Sequence, residues 1–118
     1  MDGKVLLLCK DLFFTSRIRE TARHLGVEVR ILDGGLGGAV REETPSLLLV
    51  DLDAEQLQPI QEIRDAREAS QSLPIIGFVR HENVESIRAA REAGATQVLA
   101  RGAFSTRLPS LLLPKDTV

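Results

Sequence analysis

Three stretches of this chain are apolar residue after residue: Val5 to Cys9 within "KVLLLC", Leu47 to Val50 within "SLLLVDL", and Ile75 to Val79 within "PIIGFVR". A run without polar alternation is what a strand needs when helices cover both of its faces, the condition inside a parallel sheet. Between the first two runs, "VEVRIL" (27–32) sets Val27, Val29 and Ile31 against Glu28 and Arg30, so one face carries charge and the strand suits a sheet edge. "TQVLAR" (96–101) reads as a fifth, shorter strand.

The segments between strands repeat at helical spacing. Phe14, Ile18, Ala22 and Leu25 fall on one side of a first helix and Arg17, Arg19, Glu20, Arg23 and His24 on the other, with Gly26 as the stop. "GGAVREE" (37–43) must supply a second helix, although its glycines cost roughly 1 kcal/mol each against alanine. Leu57, Ile60, Ile63 and Ala66 form the stripe of a third, and Pro59 is tolerated at its start. Asn83 caps a fourth, in which Val84, Ile87, Ala90 and the stem of Arg91 face the sheet and Gly94 ends the helix. The final "FSTRLPSLLLPKDTV" contains Pro109 and Pro114, so only a short fifth helix is expected, with few turns to hide Leu111, Leu112 and Leu113.

Strand and helix alternating five times imply right-handed crossovers between parallel strands. The expected fold is a doubly wound, three-layer α/β/α domain spanning residues 1–118, with strand order 2-1-3-4-5. Its functional crevice lies beyond the carboxyl ends of the first and third strands. Cys9, Lys10, Asp51, Val79, Arg80 and Arg101 gather at that mouth.

Bulk properties narrow the function. With 15 basic and 17 acidic residues, four Phe and no Trp or Tyr, the chain offers nucleic acid neither a basic field nor stacking platforms. No apolar run approaches the roughly 18 residues that span a bilayer, and "MDGK" lacks the basic start of a signal peptide, so no membrane association and a cytoplasmic location are expected. The single Cys9 excludes an internal disulfide and fits a reducing compartment.

"VLLLCK" followed by a helix ending in "HLGVEV", then "PSLLLVDLD", "LPIIGFV" and above all "AREAGATQVLAR" resemble the receiver domain of two-component response regulators, the CheY-like family, from about Lys4 to Leu113. The resemblance implies the flavodoxin-like version of the fold above. In that family an aspartate ending the third strand accepts a phosphoryl group, and Asp51 stands in the matching place. The other positions have changed. The acidic pair that holds magnesium falls on Cys9 and Lys10, the Thr or Ser of the fourth strand on Val79, the aromatic residue of the fifth on Val98, the Lys on Arg101 and the Pro after it on Gly102. Asp11 lies one place past the acidic pair.

A carboxylate attacking a phosphoryl group approaches negative oxygens, and a divalent cation on hard oxygen ligands offsets that repulsion. Lys10 in place of a ligand opposes such an ion by about 4 kcal/mol at roughly 4 Å and an effective dielectric of 20. Val79 and Val98 carry no donor, so the family's hydroxyl switch is absent from the sequence. Asp51 is therefore expected to be an electrostatic remnant paired with Lys10 or Arg101 rather than a working nucleophile, and neither a metal nor a cofactor is expected.

The other features read more plainly. "DGGLGG" (33–38) follows an edge strand and lacks P-loop or dinucleotide spacing, so Gly34 to Gly38 form a loop before they form a phosphate cradle. Cys9 reads as a small core residue, and His24 and His81 as solvated side chains. Receivers commonly bind partners, or each other, through the fourth helix, fifth strand and fifth helix. On this chain that face carries Arg88 and Glu92, and Leu111 and Leu112 if they are exposed.

Taken together, the expectation is a noncatalytic pseudo-receiver that signals through a protein partner or homodimer. The alternatives are a regulator phosphorylated at Asp51 with magnesium in a phosphorelay, or a small-ligand binder using the same crevice.

Overall fold

The computed structural model describes residues 3–80 and 83–113; His81 and Pro114 lie outside them. The elements are β1 (Lys4–Leu8), α1 (Leu12–Leu25), β2 (Glu28–Leu32), α2 (Leu36–Glu43), β3 (Leu47–Asp51), α3 (Pro59–Ala69), β4 (Ile75–Val79), α4 (Val84–Ala93), β5 (Gln97–Ala100) and α5 (Arg101–Leu112), with a 3-10 turn over Glu55–Leu57. All five strands are parallel, in the order β2-β1-β3-β4-β5.

Alternate residues of one strand feed opposite layers, which is why the apolar runs are unbroken. Leu6, Leu8, Leu48, Val50 and Ile75 pack with Leu36, Ile63 and Ala90 from α2, α3 and α4. Val5, Leu7, Leu49, Ile76 and Phe78 pack with Phe14, Ile18, Phe104 and Leu108 from α1 and α5. Every residue of β3 and β4 is buried. In β2, Glu28 and Arg30 are exposed, as an edge strand allows.

Helix ends follow from local chemistry. Asp11 caps α1 by accepting from the N–H groups of Phe13 and Phe14 at 3.1 and 3.2 Å. Gly26 ends it at φ 72°, a left-handed conformation that glycine adopts without a Cβ penalty. Pro59 takes the first position of α3, and Asn83 caps α4 through the Ser86 N–H at 3.1 Å.

Three expectations need correction. The fifth helix is not short: α5 runs for 12 residues with Pro109 inside it. An internal proline costs about 3 kcal/mol. Burying Phe104, Leu108 and Leu112 against the sheet returns roughly 1.5–3 kcal/mol each, enough to carry the helix through it. It follows that Leu112 is buried and Leu111 half-buried, so Leu113, at 45% exposure, is the one leucine of the three on the surface. Val84 also departs from its predicted place. It is 68% exposed, while Ala90 and Ala93 are buried in the core and Ile87 packs against it.

Candidate functional site: a carboxylate crevice closed by an arginine

Asp51 ends β3 opposite Phe78 of β4 and is 2% exposed. A buried carboxylate must be paired or protonated, and each of its oxygens has a partner. Oδ1 accepts from the Asp53 N–H at 2.9 Å. Oδ2 accepts from Arg101 Nη2 at 3.1 Å and from the Cys9 thiol at 3.4 Å.

Arg101 organises the mouth. Placed at the start of α5, directly after β5, its guanidinium reaches Asp11 Oδ2 through Nη1 at 3.1 Å and Asp51 through Nη2, and its Nε lies 3.6 Å from Asp53 Oδ2. The side chain is 15% exposed. Its planar group lies over Phe14, with Cζ 4.4 Å from the ring centroid, and 5.6 Å from that of Phe78, a cation–π arrangement. Phe104 stacks on Phe78 at 4.4 Å and completes an aromatic floor. The β1–α1, β3–α3 and β5–α5 connections thus meet on one cation.

Charge balance follows from that geometry. Burial opposes the Arg101 charge, but Asp11 and Asp51 outweigh it and raise the guanidinium pKa. Asp11 is held below the usual carboxylate range, first by the Phe14 N–H and then by Arg101. The Cys9 thiol is pushed up to about 12 by burial and by the adjacent Asp51 charge, so it stays protonated and donates.

The positions expected at the mouth divide. Cys9, Asp51 and Arg101 come together. Val79 is buried and Val98 half-buried, both in the hydrophobic cluster on the α3/α4 side of the sheet. Lys10 is exposed, and among the described residues no ion pair joins it to Asp51; of the two expected charged partners, Arg101 is the one in place. Two participants were not predicted. Asp53, the second acid of "DLD", meets both Arg101 and the Arg80 N–H, the latter at 2.6 Å. Asp11, set aside as out of register, caps α1 and pairs with Arg101.

The magnesium site of the resembled family does not fit here. Two ligand positions are a protonated thiol and an exposed ammonium, and the carboxylates that are present surround a guanidinium. Among the described residues no group of three acids, thiols or imidazoles is spaced to hold a metal ion.

The glycine loop is likewise occupied. Glu62 of α3 accepts from the N–H groups of Leu36 at 2.9 Å and Gly35 at 3.4 Å, placing a carboxylate where an anion at the start of α2 would bind. His24 is an exposed partner of Glu20. Arg88 and Glu92 are exposed on α4.

No family model matches the sequence, and no curated protein matches it. Solved structures do. A response regulator from Hahella chejuensis is similar at TM-score 0.81 and 16% identity, over 94% of this chain and 92% of that one. A BeF3-activated DrrB receiver domain is similar at TM-score 0.78 and 18% identity, over 94% of both chains. The chain has the receiver fold. NtrX from Brucella abortus, solved in complex with ADP, is similar at TM-score 0.75 and 18% identity, over 94% of this chain but 25% of that longer one. Five parallel strands in the order 2-1-3-4-5 with helices on both faces make this the CheY-like, flavodoxin-like arrangement. Within this receiver fold, Asp51 ends β3 and Arg101 opens α5. No helix among the described residues is long and apolar enough to cross a membrane.

Proposed function

We propose that this chain is a pseudo-receiver: a noncatalytic signalling module that works by protein–protein contact in the cytoplasm and takes up no phosphoryl group at Asp51. The observation that carries this reading is the Arg101 guanidinium, bonded at once to Asp11 and Asp51. In-line attack needs a free carboxylate oxygen and a counter-charge that follows the incoming phosphoryl group. Asp51 Oδ2 is committed to Arg101 and Cys9, and Oδ1 to the Asp53 amide.

The contact surface in this reading is the face of α4, β5 and α5. It exposes Arg88, Glu92 and the apolar Val84, with Leu111 half-buried at its end, and it suits a protein partner or a second copy. Leu112 takes no part because it is buried. A monomer at all concentrations in ultracentrifugation, with no partner recovered on the immobilised protein, removes this surface from the proposal.

Incubation with magnesium and a small phosphodonor, or with beryllofluoride, followed by intact mass measurement and ¹⁵N spectra, tests the chemistry. The expected result is unchanged mass and unchanged amide shifts around Asp51. A stoichiometric adduct on Asp51 overturns the proposal.

A further inference from the structure

β2 ends the sheet on one side, with β1 as its neighbour. Alternate main-chain groups of an edge strand point away from the sheet. Among the described residues, no backbone group outside the ladder with β1 bonds to Glu28–Leu32. Edges are commonly guarded by charges that repel a second edge, but the charges of β2 are of opposite sign. Val29 and Ile31 pack on the α1 side of the sheet, so Glu28 and Arg30 stand together on the α2 side. Their side chains are 67% and 52% exposed. Arg30 meets Glu43 of α2 through Nη1, which orients the guanidinium and leaves its other donors outward, while Glu28 reaches Lys4 only at 3.9 Å. On the α1 side, Val27 and Val29 are half-buried and floor a groove walled by Arg19, Glu20 and Arg23.

We infer that β2 pairs antiparallel with the β2 of a second copy of this chain, about a two-fold axis at Val29, so that the two sheets run on as one. Centred there, Glu28 lies opposite the second copy's Arg30 and Arg30 opposite its Glu28, both on the α2 side. On the α1 side Val29 meets its own symmetry mate and Val27 meets Ile31, which covers the half-buried valines. Moving the axis to Glu28 or to Arg30 would set like charges face to face, so the charges themselves select the register. A strand of five residues is a small contact, and the dimer is accordingly weak and concentration-dependent. It leaves the face of α4, β5 and α5, at the far edge of the sheet, open to a different partner. Nothing in it depends on the chemistry at Asp51.

The test is sedimentation equilibrium of the whole chain, from micromolar to millimolar concentration, on the wild type, Glu28→Lys, Arg30→Glu and an equimolar mixture of the two variants. Each variant alone sets like charges across the axis, and its dissociation constant is expected to rise by about tenfold or more. In the mixture opposite charges face again, and association is expected to return. A wild type that stays monomeric at millimolar concentration overturns the inference, as do variants that associate as well as the wild type. Arg30→Glu brings an acid beside Glu43; should it fail to fold, Val29→Cys decides. Mild oxidation is expected to join two copies through that position, since Cys9 is buried and cannot compete. No covalent dimer from Val29→Cys, or one formed as readily from Arg88→Cys on α4, overturns the inference. These measurements use no phosphodonor, so an adduct at Asp51 would defeat the earlier reading and leave this one standing.

Discussion

At the mouth around Asp51 and at the start of α2 alike, charged side chains of the chain itself answer the groups that need a partner. At α2, Glu62 provides a carboxylate to two loop amides. At the mouth, Arg101 provides a cation to three acids that follow or end β1 and β3. They differ in depth and in connectivity. Glu62 satisfies one helix end near the surface, whereas Arg101 serves a 2%-exposed acid and rests on aromatic rings. An internal ion is therefore a local cap in one place and a keystone in the other.

Removing each ion in turn measures that difference. Arg101→Ala leaves Asp51 buried without its cation and is expected to lower stability by about 3–5 kcal/mol in urea unfolding. Glu62→Ala exposes two amides that water can serve, and about 1 kcal/mol is expected from the same measurement. If the two losses are equal, the distinction between keystone and cap fails.

The smallest effect is in acid. Asp11 has a lowered folded-state pKa, so its contribution is present above the unfolded value of about 3.9 and is lost as pH falls through the folded one. Asp11→Asn keeps a good helix cap but removes the charge facing Arg101. Its stability is expected to fall less steeply than the wild type's below about pH 4, as followed by circular dichroism. An unchanged acid limb would place the Asp11–Arg101 pair among ion pairs that contribute nothing measurable.

How far the sequence could be read depended on the distance over which each signal acts. Continuous apolar runs determine two-sided burial, so Leu6, Leu48 and Ile75 announced the sheet without reference to anything beyond their own strands. Asp51 and Arg101 were legible because strand ends bring them to one mouth. Asp53 was harder, because whether it meets Arg80 depends on the turn between β3 and the following 3-10 segment. Asp11 was judged by its register in the chain, although a capping side chain also points toward neighbouring loops. Pro109 was a true local signal outweighed by distant burial, with Leu108 and Leu112 holding the helix on either side of it.

The aromatic floor under Arg101 has a bearing on solution conditions. Phe14, Phe78 and Phe104 shut dissolved ions out from beneath the guanidinium, so added electrolyte has little purchase on its pairing with Asp51. Surface pairs such as Arg23 with Glu20 have no such shelter and dissolve into the ionic atmosphere. Brine should thus strip the rim of this molecule of its electrostatic texture and leave its centre as it was.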